Sequence, residues 1–442
     1  MITMHIGFDD TDSPKMGCTT YVAALLVVKL HQIGAYFTDY PNLIRLNPNV
    51  PWKTRGNGAL CLRIRCNEEL VEKIMETTID TVEKNADLSY AGTDPGIVFL
   101  FNNISSELRT FAKRTIQGIV KMKEALKLVK MFGAEAVGFK NGRGIIGGLA
   151  AIGETLEKDH TYEVITYRTL KNRGTPRRIQ ASSIREMNEK TSPLTFNNVD
   201  PETDRILITP RGPDPILYGI RGENPKAVKQ AHEIVHSQEP VERWVIFRTN
   251  HGTDAHLRQI NSISEIQPFN PVVVQGDLAK EPEVIPGGHV IFTIKDENGK
   301  ADCAAYEPTG TLRKVAKKLI AGDLIEAYGG VRQASSKHPV TINLEKIRIL
   351  KLAPKISFFN PKCPHCSKRM KSMGKEKGFR CDKCGFRSSK LKKVAVKNKR
   401  VLKKGLYITS QRSQRHLTKP ILRYGREKAN PPKKMIVNWH FP

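Results

Sequence analysis

The residues best suited to chemistry stand near the N-terminus, in the segment MITMHIGFDDTDSPKMGCTT. Asp9, Asp10 and Asp12 follow a short apolar run, and Thr19 opens the next apolar stretch. Carboxylates are the hard oxygen ligands that Mg²⁺ prefers, and a helix N-terminus offers free backbone N–H groups to phosphate. The segment therefore predicts a site for Mg²⁺ and phosphate together. The alternative is a capping turn, although a cap needs only one such residue.

A loop rich in Pro and Gly, Asn47–Gly58, carries the next candidates. Lys53 and Arg55 are predicted to bind the phosphates of a nucleotide, and Trp52 stands beside them. Cationic groups and bare backbone can approach phosphate or a base closely. An ordinary surface hairpin explains the same spacing equally well.

A glycine-rich run, residues 138–154, contains further candidates for phosphate binding: Gly142, Arg143 and Gly144. Glycine permits a close approach of backbone to phosphate, but it also permits tight helix packing. The run matches neither a Walker A loop nor a dinucleotide-binding fingerprint. A standard P-loop is therefore disfavoured.

Two CxxC pairs near the C-terminus indicate a metal site. They are separated by 14 residues and consist of Cys363, Cys366, Cys381 and Cys384. Paired thiolates at this spacing close a tetrahedral Zn²⁺ site, and four sulfur ligands leave no open position for catalysis. We predict a structural zinc ribbon. A His–Asp–His metal site in HGTDAHL, residues 251–257, is less favoured than a domain boundary there.

The bulk composition limits the partners. The 442 residues include 72 Lys+Arg and 44 Asp+Glu, which gives a net charge of +28 and predicts a polyanionic partner such as nucleic acid. We find neither a signal peptide nor an apolar run of about 18 residues, so we expect no membrane association. Four scattered cysteines fit a reducing cytoplasm.

The elements that must position these residues follow the chain. Residues 1–157 are predicted as an α/β catalytic domain in which strands at Ile2–Phe8, Leu43–Leu46, Ala59–Cys66 and Ile97–Phe101 alternate with helices. One long helical region is expected at about Ser106–Phe132. Residues 158–255 repeat a βαββαβ order, with RILIT (Arg205–Thr209) as a strand, and predict a ferredoxin-like domain.

The remainder of the chain is predicted as three modules. Residues 256–355 show short strands with one helix between the third and the fourth, which is the order of an oligonucleotide-binding OB fold. Residues 356–390 form the zinc ribbon. Residues 391–442 form a basic extension, since 17 Lys/Arg and one acid, Glu427, lie between Arg387 and Pro442. We expect a solvated tail or, slightly favoured, an arm that orders on nucleic acid.

Several of these motifs occur together in one order: FDDTDS with GCTT, RLNPNVPWKTRGNGA, TDPG, GRGIIGGLAAIG, the OB-like segment and the zinc ribbon. In this combination the chain resembles the archaeal tRNA-isoleucine agmatidine synthetase (TiaS) family over about 390 residues. The resemblance implies a multidomain α+β protein with an unusual kinase-like N-terminal domain. It also implies an ATP-dependent, cytoplasmic ligase that joins agmatine to carbon 2 of the wobble cytidine in tRNA-isoleucine with a CAU anticodon.

The resemblance also implies residue roles. Asp9, Asp10 and Asp12 correspond to the catalytic aspartates, which we expect to bind Mg²⁺, and Thr19 corresponds to a threonine that the family autophosphorylates. The implied reaction passes through a phosphorylated cytidine and releases AMP and phosphate. Agmatine is a dication that needs a carboxylate, for which we predict Asp94. His251 departs from the expected Gln, which puts in doubt only the contact made by its turn.

Two other classes of function remain open at this point. A protein that only binds tRNA or single strands explains the charge and the zinc, but leaves Asp9, Asp10 and Asp12 unexplained. A Mg²⁺-dependent phosphohydrolase acting on nucleic acid explains the acids, but needs neither Thr19 nor bound ATP. Phosphate transfer from ATP to Thr19 separates the synthetase from both.

Overall fold

The fold is described from a computed structural model that covers residues 1–101, 103–336, 338–432 and 434–442. Its N-terminal part has the predicted order of strands and helices, with one short strand added: β1 (Ile2–Asp9), α1 (Thr19–Ile33), β2 (Tyr36–Phe37), β3 (Asn42–Arg45), β4 (Gly58–Cys66), α2 (Val71–Asn85) and β5 (Gly96–Leu100). Among the described residues, no helix is both long enough and apolar enough to span a bilayer.

The expected long helix at about 106–132 is two helices, so this prediction is wrong in its detail. The region contains α3 (Ser106–Gln117), α4 (Met122–Met131), β6 (Glu135–Gly138) and α5 (Gly144–Gly153). Gly118 ends α3 with an extended backbone that a helix cannot continue. The break matters for function because residues 118–120 line the cavity described below.

The second part has the predicted βαββαβ order, although one strand differs. Its elements are β7 (Thr161–Arg168), α6 (Ala181–Thr191), β8 (Thr195–Phe196), β9 (Val199–Asp200), β10 (Arg205–Ile206), β11 (Ile216–Gly222), α7 (Pro225–Ile234) and β12 (Val241–Thr249). The expected strand RILIT is wrong as a member of the main sheet, since β10 pairs with β9 in a separate ribbon. The two-residue strand β8 takes the edge beside β11 instead.

These two parts share one sheet. Its order is β6-β5-β1-β4-β3-β12-β7-β11-β8, and the join is a parallel pairing of β3 with β12 at Asn42–Arg248 and Leu43–Thr249. Within each part the four main strands lie in the order fourth, first, third, second, as in a ferredoxin-like domain. One apolar core runs under both parts, so they are held rigidly together.

The third part is the predicted barrel. Its elements are β13 (Arg258–Gln259), β14 (Pro271–Leu278), β15 (Glu283–Ile285), β16 (His289–Lys295), β17 (Lys300–Ala305), α8 (Thr311–Ala316), β18 (Leu324–Arg332) and β19 (Thr341–Lys351). Pairing of β14 with both β18 and β16 closes the sheet. The single helix lies between β17 and β18, which confirms the OB-fold prediction.

The C-terminal part contains β20 (Lys355–Phe359), β21 (Lys371–Ser372), β22 (Phe379–Arg380), β23 (Arg387–Ser388), β24 (Val394–Asn398), β25 (Gly405–Ile408) and β26 (His440–Phe441). Strand β25 pairs with β19 of the barrel, and β26 pairs with β12 of the large sheet. The described residues of the extension are thus folded on the protein, so neither the solvated tail nor the arm was the right prediction. We call residues 405–442 the strap.

Ion pairs with carboxylates elsewhere in the protein hold the strap, and its basic composition did not predict them. Arg423 is fully buried and pairs with Asp159 at 2.8 Å and with Glu223 at 2.7 Å. Arg412 pairs with Asp200 at 3.2 Å. The carboxylate partners lie 200 to 264 residues earlier in the chain, so no local pattern could reveal that these cations face protein carboxylates.

Candidate active site

The C-terminal end of β1 opens into a cavity of about 370 Å³. The three predicted aspartates Asp9, Asp10 and Asp12 all line it, which brings the acidic cluster of the sequence to one place. The remaining wall residues are Leu46, Val50, Trp52, Lys53, Thr54, Asn57, Gly58, Thr115, Gly118, Ile119, Val120, Met122, Asn141, Arg143, Ile146 and Gly147. The cavity therefore joins carboxylates, two cations and an aromatic ring.

Asp10 is held by Arg143. The Nη2 and Nε atoms of this arginine donate to Asp10 Oδ2 at 2.7 and 3.1 Å, and Nη2 also donates to the Gly92 carbonyl at 2.5 Å. Asp10 has a left-handed backbone, φ 62°, which non-glycine residues adopt rarely and mostly where the surroundings enforce it. The turn after β1 is thus shaped to present these carboxylates.

Burial dominates the electrostatics of the cluster. It raises the pKa of Asp9 to about 8, and the charge of Asp10 adds to this shift. Burial also raises the pKa of Asp12 to about 6, against the attraction of Arg55. The pKa of Asp10 is raised by burial as well, although Arg143 opposes the shift. A bound cation would favour the ionised form of all three carboxylates.

Asp9 lies directly on the first turn of α5. A Cβ added to Gly147 would stand 1.9 Å from Asp9 Oδ2, and one added to Gly144 would stand 2.4 Å from the Asp9 carbonyl. The glycines of this run therefore allow α5 to touch β1 and β5. Of the three predicted phosphate-binding residues here, Arg143 lines the cavity and Gly142 and Gly144 do not.

Thr19 is the first residue of α1, as the sequence predicts, but its side chain is buried outside the cavity lining. Its Oγ1 accepts a hydrogen bond from Thr11 Oγ1 at 3.1 Å. Thr11 belongs to the same turn as the aspartates, so Thr19 is next to the cluster through one hydroxyl group.

The two predicted cations of the 47–58 loop have different surroundings. Lys53 lines the cavity, and its ammonium donates to the Arg55 carbonyl at 3.0 Å. Arg55 does not line it: its guanidinium donates to the Ser13 carbonyl at 2.8 Å and lies 3.6 Å from the Asp12 carboxylate. Arg55 thus fixes the acidic turn, while Lys53 faces the open space.

Asp94 stands behind the cavity wall. Its carboxylate accepts from the Asn141 side chain at 3.1 Å and lies 3.6 Å from Arg143 Nη1. Both of these neighbours line the cavity, whereas Asp94 does not. Asn141 was missed by the sequence analysis, because a single Asn in a glycine-rich turn carries no distinctive signal.

The four cysteines of the ribbon come together as predicted. Cys363 and Cys384 have their sulfur atoms 3.4 Å apart, as do Cys366 and Cys381, and all four lie within 4.8 Å of one another. Sulfur atoms around a tetrahedral zinc are spaced by about 3.8 Å. The residues therefore fit structural Zn²⁺.

The histidines of HGTDAHL do not share a metal site. His251 lies 3.0 Å from Glu163 and accepts from Arg45 Nε at 2.5 Å, whereas His256 lies 3.1 Å from Glu345 of the barrel. Among the described residues, the four cysteines are the only group of three or more His, Cys, Asp or Glu side chains whose ligand atoms already lie within 4.8 Å of one another, so neither histidine has the partners that a metal site needs. At this position, where the sequence analysis expected Gln, His251 thus makes buried contacts with Arg45 and Glu163.

Comparison with known proteins covers nearly the whole chain. Family models match the TiaS TCKD domain at residues 5–141, the TiaS FLD domain at 142–256, an OB-fold nucleic acid binding domain at 272–350 and the TiaS C-terminal zinc ribbon domain at 360–402. The tRNA(Ile2) 2-agmatinylcytidine synthetase TiaS of Methanocaldococcus jannaschii is 43% identical over 431 residues, covering 95% of this chain and 99% of the relative. That of Pyrococcus horikoshii is also 43% identical, covering 95% and 97%.

Solved structures of TiaS complexes match this chain over nearly its whole length. The TiaS–tRNA(Ile2)–ATP complex matches with a TM-score of 0.87 at 37% identity, covering 99% of this chain and 100% of that one. The TiaS–tRNA(Ile2)–AMPCPP–agmatine complex matches with a TM-score of 0.84 at 35% identity, covering 96% and 98%. The chain therefore belongs to the TiaS family of tRNA(Ile2) 2-agmatinylcytidine synthetases.

Proposed function

We propose that this protein is an ATP-dependent, cytoplasmic ligase that joins agmatine to carbon 2 of the wobble cytidine in tRNA-isoleucine with a CAU anticodon. Its relatives carry the name of this activity, and their solved complexes contain tRNA(Ile2), ATP and agmatine. The single observation that carries the proposal is the cavity in which Asp9, Asp10 and Asp12 meet Lys53 and Arg143. Such a cavity suits phosphoryl transfer, in which opposite charges must be arranged around phosphate.

The donor set fits Mg²⁺. Three carboxylates line one cavity, and carboxylate oxygens are the hard ligands that Mg²⁺ prefers. Burial raises the pKa of Asp9 and Asp12, and a bound divalent cation would favour their ionised forms. When bound, Mg²⁺ neutralises charge on the transferring phosphoryl group. Asp9, Asp10 and Asp12 would hold it, with Arg143 keeping Asp10 in place.

The chemistry needs a leaving group on carbon 2 of cytosine. The carbonyl oxygen O2 leaves poorly, so a phosphoryl group of ATP is transferred to it and a P–O bond of the nucleotide breaks. The primary amine of agmatine then attacks carbon 2, the C–O bond breaks with release of phosphate, and the amine loses a proton. Release of AMP requires a second phosphoanhydride bond to break. We propose that the Thr19 hydroxyl loses its proton and accepts this phosphoryl group, and that water then hydrolyses the phosphothreonine, which releases the second phosphate and restores Thr19.

The remaining wall residues have roles that follow from their surroundings. Lys53 and Arg143 stabilise the negative charge that develops on the phosphoryl group. Trp52, half of whose surface is exposed, offers a face for the cytosine once it leaves the anticodon stack. Asp94 is engaged by Asn141 and Arg143, so we propose that it serves agmatine indirectly, by holding these two side chains at the wall.

Incorporation of labelled agmatine into a tRNA-isoleucine transcript, with ATP and Mg²⁺, tests the proposal. We expect Asp10→Asn to lower the rate at least about 100-fold, because it removes a charge aimed at the reacting phosphate while keeping the shape of the side chain. Asp80→Asn is the matched control, since Asp80 is exposed on α2 and pairs only with Lys84 among the described residues.

The other outcomes are informative. Tight tRNA binding by the wild type without incorporation would identify an RNA-binding protein instead of a ligase. Equal rates for wild type and Asp10→Asn would move the active site away from the end of β1.

A further inference from the structure

A second, strongly basic groove of about 520 Å³ lies beside the catalytic cavity. It runs between the 47–58 loop and the strap, and it shares Leu46 and Lys53 with the cavity. We call it the basic groove; its lining is Arg45, Leu46, Pro48, Lys53, Arg55, Gly56, Gln414, Arg415, His416 and Leu417. No acidic residue is found in this lining within the described part of the chain.

The polar groups of the groove are mainly donors. The Lys53 ammonium contacts only a backbone carbonyl among the described residues, and burial together with the charge of Arg415 lowers its pKa. The Arg415 side chain is 36% exposed, donates to Asn49 Oδ1 at 2.5 Å and lies 3.8 Å from Glu345. Arg55 of the lining is already paired with Asp12 and Asp214, outside the groove. Lys53 and Arg415 have only the Glu345 carboxylate near them among the ion pairs of the described residues, and this excess of positive charge favours an anionic ligand.

His416 adds a neutral donor. Burial, together with the charge of Arg45, holds the pKa of His416 well below its usual range. Its Nδ1 accepts from Arg221 at 2.8 Å, so Nε2 carries the proton and can donate. A Cβ at Gly56 would stand 2.8 Å from this Nε2, so the missing side chain keeps the donor uncovered.

We propose that the basic groove binds the phosphodiester backbone of the RNA next to the nucleotide that enters the catalytic cavity. This inference rests on the proposed function for the identity of the polymer. A base placed against Trp52 requires its own backbone to pass near Lys53, the cation common to cavity and groove. Arg415 and His416 then receive the neighbouring phosphates, whose oxygens accept from guanidinium and imidazole N–H groups.

The inference gives the strap a function. Its segment Gln414–Leu417 forms one side of the groove. The strap is anchored on both sides of this segment, by the ion pairs of Arg412 and Arg423. A phosphate site needs its donors held in place before the ligand arrives, because ordering them on binding weakens affinity.

Binding of an unmodified tRNA-isoleucine transcript to the full-length protein, measured at several salt concentrations without turnover, tests the assignment. Arg415→Ala is expected to weaken tRNA binding about tenfold, as befits the loss of a charge-assisted hydrogen bond. It should also reduce the slope of log affinity against log salt by roughly 0.7 to 0.9, the contribution of one phosphate. Affinity for the ATP analogue AMPCPP should not change.

Two further variants keep the test readable if Arg415→Ala perturbs folding. Arg415→Gln can still donate to Asn49 but lacks the charge, so it should lose the salt-dependent contribution while keeping the local structure. Arg415→Lys keeps the charge and should therefore retain the salt-dependent contribution. Arg65→Ala is the charge-matched control. Arg65 is exposed near the end of β4, about 23 Å along the strand from Gly58, which ends the 47–58 loop beside the groove.

Three results would overturn the assignment: unchanged tRNA affinity in Arg415→Ala and Arg415→Gln, weaker binding with an unchanged salt slope, or loss of AMPCPP affinity alone. The last would give the groove to the nucleotide. Failure of the proposed function is a separate result, because it would appear as absent agmatine incorporation by the wild type.

Discussion

The three aspartates of the cavity share one turn but differ in what faces them. Asp10 contacts Arg143 and Asp12 lies near Arg55, whereas Asp9 rests on the glycines of α5. Asp9 accordingly has its pKa raised to about 8, chiefly by burial. Two cations against three carboxylates leave the cluster short of positive charge, which is the condition that a divalent cation and a cationic amine substrate would both relieve.

Trp52 is the residue on which we expect recognition of the base to depend. The residue is 51% exposed and lines the cavity wall. Stacking of a base on an aromatic ring contributes about 1–3 kcal/mol. Trp52→Ala should therefore raise the KM for tRNA by about 5- to 150-fold and leave the affinity for ATP unchanged, as measured by steady-state agmatine incorporation and nucleotide titration.

Controls for this prediction are available in the chain. Trp52→Phe keeps a ring and should recover most of the loss. Tyr36→Ala removes another exposed ring, on β2 beside the far end of β4, and should have no effect. An unchanged KM in Trp52→Ala would show that the base binds elsewhere.

At the scale of elements, the close approach of α5 to β1 determines where Asp9 can stand. A Cβ on Gly147 would meet Asp9 Oδ2 at 1.9 Å, so Gly147→Ala must displace the carboxylate. A displacement of about 1 Å can lower a rate about 100-fold, and overpacking costs about 1–3 kcal/mol of stability. We expect both effects in agmatine incorporation and thermal unfolding.

Gly148→Ala separates the two effects. Its Cβ would stand 2.8 Å from the Gly7 carbonyl and strain the same helix–strand contact without touching the Asp9 carboxylate. It should lower stability similarly but retain much more activity. Equal loss of activity in both variants would mean that helix packing alone is responsible.

Local patterns predicted the elements that carry strong periodicity. β1, β4 and β7 are runs of eight or nine residues rich in apolar, aromatic and β-branched side chains, and α1 begins at a pair of threonines, so their positions could be derived from the sequence. Short elements could not: the two-residue strand β8 has too few side chains for any periodicity. The break between α3 and α4 depends on one glycine, Gly118, in an otherwise helical pattern.

The same limit applies to the site. The aspartates were predictable because three of them crowd one strand end, and the cysteines because their spacing is specific. The pairing of Asp10 with Arg143 joins residues 133 positions apart, and the basic groove needs His416 beside a loop near residue 56. Such contacts depend on tertiary structure, which a single sequence does not display.

At the scale of the whole molecule, the strap connects the shared sheet to the barrel. It pairs with β19 near its start and with β12 at its end, where Trp439 is buried against Phe37 and Tyr40. Composition alone suggested a solvated or RNA-bound tail, because cationic side chains that pair with distant carboxylates look the same as free ones. The strap thus fixes the barrel relative to the cavity at the end of β1.

A substitution at Arg423 tests whether the strap holds the barrel in position. Arg423 is fully buried between Asp159 and Glu223 and also donates to the Gly252 carbonyl at 2.6 Å. Removing one partner of a buried ion pair costs about 3–5 kcal/mol, because the other charges stay buried without compensation. Arg423→Ala should therefore lower the thermal unfolding midpoint and expose the strap to limited proteolysis at temperatures where the sheet and barrel remain intact.

Arg423→Ala should also affect the basic groove, because the strap forms one side of it. Arg415 and His416 lie eight and seven residues before Arg423, so a loosened strap should weaken tRNA binding while leaving AMPCPP affinity unchanged. Arg426→Ala, which removes an exposed arginine three residues later, should behave as the wild type in all four measurements: thermal unfolding, proteolysis, tRNA binding and AMPCPP affinity. A strap that stays protected from protease in Arg423→Ala would mean that strand pairing by β25 and β26 holds it without the buried arginine, and that the ion pairs contribute little to its position.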